Sequence, residues 1–213
     1  LLESNHTAVE ARSARRIQGE QTKELIVEAA CDLIGESGYH SVTAAALIER
    51  AGVSKGGLYH HFRTLDDVII KAYEKTAWKL FSGLGASNPA SVGDYLQQVE
   101  QVIFQHLLTD EKTLRIMHEL LPMAMYHPLF VERRQKMMKS GADRMIDKFA
   151  PSFKNNIKES ELQEMIAAVS VFISGLAIQH QMSSDLKDSR KTWAWFRSGI
   201  QKAYGDVGKD SDS

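Results

Sequence analysis

A single cysteine, Cys31, in 213 residues excludes an intrachain disulfide and leaves no thiolate set for a metal within one subunit. A reducing, cytoplasmic compartment is therefore expected. No apolar run of spanning length and no charged start followed by an apolar core is read, so no membrane partner is expected. Net charge is only −1 and the pI is near 6.8, so there is no global signature of a polyanion binder and any such surface must be local. Strand-period alternation and internal repeats are missing. So are GxGxxG, P-loop, GxSxG and paired-carboxylate patterns. His118-Glu119 opens like HExxH, but the second histidine position is Pro122. His60 and His61 are neighbours, about 100° apart on a helix, and poorly placed to share one ion. The chain is expected to be no enzyme, with no catalytic residue, metal or cofactor.

What is present is a 43% hydrophobic, 25% charged chain, enough apolar material for one or two small cores. Cys31 falls among Val27, Ala30 and Ile34 and reads as a small buried hydrophobe rather than a redox sensor. Basic residues concentrate in two places. Residues 11–23 hold Arg12, Arg15, Arg16 and Lys23 against Glu20, and residues 54–65 hold Lys55 and Arg63 with no acid. A solvated helix face or a basic tail would look the same.

The periodicity is helical almost throughout, and the fold class is all-α. A first helix is expected over about 22–37, a second over 43–51 capped by Thr43 and stopped by Gly52, and a third from Ser54. Thr64 and Asp67 form a capping box opening a helix at about 65–82. SGLGASNPAS at 82–91 is the best loop signal. Longer helices are expected at about 91–109, 111–121, 127–149, 160–183 and 188–204, with a break at LPMAMYHP and a stop at Pro151.

The stretch GVSKGGLYHHF at 52–62 puts tandem glycines inside a short helix, where each costs about 1 kcal/mol relative to alanine. On a wheel, Lys55, Gly56, Tyr59 and His60 share one face, while Leu58 and Phe62 form an apolar edge. A face with basic and hydrogen-bonding side chains, and glycines that let backbone come close, suits a helix in a DNA major groove. The pair 43–51 and 54–61, joined at Gly52-Val53, has the length and turn chemistry of a helix-turn-helix.

The run TAAALIERAGVSKGGLYHHF at 43–62 resembles the tetracycline-repressor (TetR) family signature at Thr43, Ala51, Gly52, Val53, Ser54, Gly56, Leu58, Tyr59, His61 and Phe62. The match extends weakly back through the first helix, and with that extension it covers about a quarter of the chain. Leu47-Ile48 stand where the family usually has Ile-Ala, and Leu65 stands where it commonly has a phosphate-binding lysine. The resemblance implies that Thr43, Tyr59 and His61 hold phosphates while Lys55, Gly56, Gly57 and His60 lie near base edges. Ser54 completes the set, and Arg63 or the basic arm substitutes for the missing lysine. On the wheel His61 sits nearer the back, where a structural role is equally open.

The resemblance further implies a dimeric regulator of double-stranded operator DNA. Residues 1–20 would be a flexible basic arm, 21–75 the DNA-binding unit, 76–206 a ligand-sensing and dimerisation unit, and 207–213 a polar tail. All eight methionines follow residue 116, which fits an adaptable ligand-binding interior or an ordinary core. Met117, His118, Leu121, Met125, Phe130, Met138, Phe172 and Gln179, with His180 as an alternative anchor, are the candidate pocket for a small apolar or amphipathic effector. Ala167, Ser170, Ser174 and Ala177, a small-residue stripe, with Trp193, Phe196 and Ile200 are the candidate homodimer interface. The expected function is a repressor released by its effector. The alternative is the same architecture answering to a protein partner or to no inducer.

Overall fold

The computed structural model describes the backbone of residues 2–84, 88–153 and 157–204, and their side chains except those of 2–12, 81, 121, 122, 124 and 152. The expected tail at 207–213 and part of the 82–91 loop lie outside the described residues. Every regular element among the described residues is helical: α1 (Leu2–Ser37), α2 (Ala44–Ala51), α3 (Lys55–His61), α4 (Leu65–Leu84), α5 (Val92–Gln101), α6 (Glu111–Glu119), α7 (Leu121–Tyr126), α8 (Pro128–Phe153), α9 (Glu159–Ser183) and α10 (Leu186–Tyr204). The chain divides into two compact units, Leu1–Lys75 and Thr76–Ser213.

In the first unit, Ile26, Ala30 and Ile34 recur on α1 at helix spacing and meet Leu47, Leu58, Phe62, Val68 and Ile70, all at most 5% exposed. Cys31 is buried there, its Sγ 3.8 Å from the Ala72 carbonyl oxygen. Arg50 of α2 donates two 2.8 Å bonds to Glu36 of α1, and Lys75 of α4 donates to both Glu24 and Glu28. Helix α1 begins at Leu2, not near Thr22 as the apolar pattern suggests. Residues 2–21 contain few helix breakers but no apolar stripe, so periodicity alone leaves them unassigned.

The second unit buries Tyr95, Leu96, Val99 and Ile103 against Phe149, Phe153, Ile166, Val169 and Trp193. After Gln101 the helix widens into a π-helical segment over Val102–Leu107, closed by a 2.8 Å bond from Leu108 N–H to the Ile103 carbonyl. The wider turn accompanies three successive buried residues, Val102, Ile103 and Phe104. Two proline expectations need correction. Pro122 lies in the first turn of α7, where its missing N–H is no loss, so the expected break is narrowed to His127 between α7 and α8. Pro151 lies within α8, whose last turn continues because Phe149 and Phe153, four apart, are both buried.

Helix α9 is long and apolar enough to cross a bilayer by length and composition alone, contrary to the expectation that no such segment exists. Its many apolar residues and few charges set the high mean hydropathy, while Ser170, Ser174, Gln179 and His180 interrupt the apolar surface, and Leu162, Met165, Ile166, Val169 and Leu176 are seated in the core.

Candidate nucleic-acid interface

Two capped helices set the geometry. Thr43 Oγ1 accepts the Ala46 N–H at 3.2 Å and starts α2. Gly52, at φ 64° and ψ 31°, ends α2 in the left-handed region that glycine tolerates. Two residues later Ser54 Oγ accepts the Gly57 N–H at 3.0 Å and starts α3. Phe62 closes α3 in an extended conformation, and the Thr64–Asp67 capping box opens α4, with Asp67 N–H reaching Thr64 Oγ1 at 3.1 Å and Thr64 N–H reaching Asp67 Oδ2 at 3.2 Å.

The short helix α3 has two unlike sides. Leu58 is 1% exposed and Phe62 just beyond it 5%, so this edge holds the helix to its unit. Ser54, Lys55, Gly56, Tyr59, His60 and Arg63 are exposed, as is Thr43 at the start of α2; Gly57 and His61 are half-buried. The cap oxygens of Thr43 and Ser54 use lone pairs toward backbone N–H groups, which leaves their hydroxyl protons able to donate outward. His61 stands edge-on to His60, ring centroids 5.0 Å apart, and its Cε1 would lie 3.7 Å from a Cβ placed on Gly19 of α1.

The candidate pocket residues differ in burial. Phe130 is buried and Met117, His118 and Met138 are half-buried, but Met125 is 68% exposed and Gln179 is also exposed, so neither lines an interior cavity of this chain. Phe172 stacks on Phe196 at 3.8 Å between ring centroids. The Leu121 side chain lies outside the described residues. His180 is buried and its Nδ1 pairs with Ser189 Oγ at 3.0 Å, tying α9 to α10.

The candidate dimer set also separates. Ala167 and Ser174 are exposed on α9, with Ser170 and Ala177 half-buried beside them. Trp193 instead faces its own chain, 1% exposed, with its indole N–H 3.1 Å from Glu100 Oε2. Phe196 and Ile200 pack on the same core. The outward tryptophan of α10 is Trp195, 79% exposed, and not the packing residue that its apolar character suggests in the sequence. Two positions on a helix are about 200° apart, so once Trp193 faces inward Trp195 must face outward. Val171 and Met182 on α9 are exposed as well, at 74% and 78%.

Among known proteins, residues 26–71 match the family described as bacterial regulatory proteins, tetR family. An uncharacterized HTH-type transcriptional regulator of Mycobacterium tuberculosis is 37% identical over 78 residues, 33% of this chain and 40% of that protein. The chain thus spans about two fifths of the length of that relative. A transcriptional regulator of the TetR family from Cytophaga hutchinsonii shares the fold at a TM-score of 0.68 and 13% identity, over 87% of this chain and 96% of the other. The multidrug binding protein EbrR complexed with ethidium shares it at a TM-score of 0.64 and 17% identity, over 85% and 96%. The matched segment holds the whole of α2 and α3, and over that segment the chain is similar to bacterial regulatory proteins of the tetR family.

Proposed function

We propose that the chain is a sequence-specific DNA-binding repressor, acting in the cytoplasm as a homodimer and released by a small apolar or amphipathic effector. The observation that carries the DNA-binding part is the exposed rim of α3, where Lys55, Gly56, Tyr59 and His60 face outward while Leu58 and Phe62 anchor the helix. Tyr59, Thr43 and Ser54 donate to phosphates, Lys55 and His60 reach base edges, and the glycines let backbone approach. In a dimer, two such helices about 34–36 Å apart read a near-palindrome. Exposed Ala167, Val171 and Ser174 on α9 and Trp195 on α10 support pairing through those two helices.

Residues 76–206 are read as the sensing unit, and the ethidium bound by EbrR supports an aromatic or amphipathic effector class. An effector acts only through unequal affinity for DNA-competent and DNA-incompetent forms. The exposure of Met125 and Gln179 favours a second reading, in which the same architecture answers to a protein partner or to no inducer.

The deciding experiment is retention of sheared genomic DNA by the purified chain, with sequencing of retained fragments and gel shifts on them. Lys55→Ala should weaken binding to those fragments. Equal affinity of this variant at every salt concentration removes Lys55 from the interface, and retention of no fragment by the unaltered chain removes the DNA-binding reading. Mass spectrometry of compounds that copurify separates the effector reading from its alternative.

A further inference from the structure

A Cβ placed on Gly19 would lie 3.7 Å from His61 Cε1, so the Gly19 face of α1 runs beside the end of α3. At about 100° per residue, Arg15 lies about 40° to one side of Gly19, while Lys23 and Arg16 lie about 40° and 60° to the other. All three share the face turned toward His61. Of the acids on this stretch, Glu24 is turned about 140° from Gly19 and is engaged by Lys75, while Glu20, about 100° from Gly19, follows Arg16 by four residues and stands about 40° round the helix from it. Arg15 and Arg16 are exposed, and neither forms an ion pair among the described residues. They sit about 4.5–6 Å beyond Gly19 along the helix axis. The Arg15–Arg16 turn, with two arginines against one acid, Glu20, thus lies about one helical turn from the Gly19 position that approaches His61 at the C-terminal end of α3, where Arg63 is also exposed.

We propose that the Arg15–Arg16 turn of α1 is a second DNA-contacting element, holding backbone phosphates beside the groove that α3 enters. It supplies the charge absent at Leu65, and it rests on the reading of α3 as the groove helix. Guanidinium groups match phosphate oxygens in paired bonds, and these two stand on a different helix from the one read as entering the groove. The contribution is thus to affinity and its salt dependence, not to sequence preference.

The test measures affinity for a fragment retained by the wild-type chain, and for an unrelated duplex, across a salt series. The variants are R15A/R16A, R15K/R16K and K55A in the full chain. Two lost phosphate contacts should flatten the slope of log affinity against log salt by about 1.8, so between about 50 and 200 mM salt the wild type loses about 12-fold more affinity than R15A/R16A. The preference for the retained fragment should be unchanged in R15A/R16A, and R15K/R16K should keep most of the slope. K55A should lose preference as well as affinity. A wild-type slope and affinity in R15A/R16A, alongside weakened K55A, overturns the proposal while leaving the α3 reading intact. Failure of the wild type to retain any fragment overturns both.

Discussion

Trp193 of α10 donates its indole N–H to Glu100 of α5, 3.1 Å away, and Arg197 one turn later donates to the same carboxylate oxygen at 2.7 Å. Glu100 thereby joins two helices 93 residues apart in sequence, and the ring of Trp193 is enclosed by the core. Trp193→Phe keeps an aromatic ring but removes the donor, leaving Glu100 to Arg197 alone. A loss of about 1–3 kcal/mol in folding stability is expected, read by denaturation at one fixed protein concentration because dimerisation shifts the apparent value.

Trp195 should behave in the opposite way. Its 79% exposure in the single chain means that Trp195→Ala removes little intrachain packing. If α9 and α10 form the homodimer interface, an exposed tryptophan there acts as an anchor, and its loss weakens the dimer by about 2 kcal/mol, roughly 30-fold. Sedimentation equilibrium reads this directly. A wild-type dimer constant in the Trp195 variant places the interface elsewhere.

Gly52 and Gly56 lie four residues apart and should answer alanine with opposite signs. Gly52 has open space around it but sits at φ 64°, so Gly52→Ala costs about 1–2 kcal/mol through backbone conformation alone. Gly56 has ordinary helical geometry, and its nearest neighbour for a Cβ is Ser54 Oγ at 3.8 Å. Gly56→Ala should therefore stabilise the unit by up to about 1 kcal/mol. It should also weaken DNA binding, since the added methyl projects from the face between Lys55 and His60. Thermal unfolding and gel shift on the same variant check both halves. A more stable variant with unchanged affinity removes Gly56 from the interface.

That pairing explains what was legible in the sequence. Thr43, Gly52, Ser54 and Thr64–Asp67 act within three or four residues of themselves, so their cap chemistry can be read without tertiary context. The division of α3 into a Leu58–Phe62 edge and an exposed rim follows from helix geometry in the same way. Context decided the rest. Residues 2–21 have helix-forming composition without an apolar stripe, and the π-helical turn at Val102–Leu107 leaves no signal in a 3.6-residue pattern. Trp193, Phe196 and Ile200 do form an apolar face, but periodicity cannot say whether the same chain or a second copy covers it. Met125 and Gln179 failed as cavity residues for a related reason: side-chain character names what suits a pocket and not where the helices place it.

Asp110 offers a pH test of local capping. It begins α6, accepting the Thr113 N–H at 3.1 Å on Oδ1 and the Thr113 hydroxyl at 2.8 Å on Oδ2. Partial burial opposes ionisation of the carboxyl, but the two bonds from Thr113, the charge of Lys79 and the Lys112 N–H outweigh it, so its pKa lies below the ordinary 3.8. A depressed carboxylate pKa means stability that is fully present above the unfolded value and lost as pH falls through the folded one. At neutral pH, Asp110→Ala should cost about 1 kcal/mol, as loss of a cap usually does. The gap between wild type and D110A should narrow as pH falls below 3.8. D110N keeps an acceptor for the Thr113 N–H and cannot titrate, so its margin over D110A should stay flat across the same range. Denaturant unfolding of the three proteins between neutral and acid pH measures both differences, and a wild-type margin as flat as that of D110N would show that the ionised carboxylate adds nothing beyond the cap.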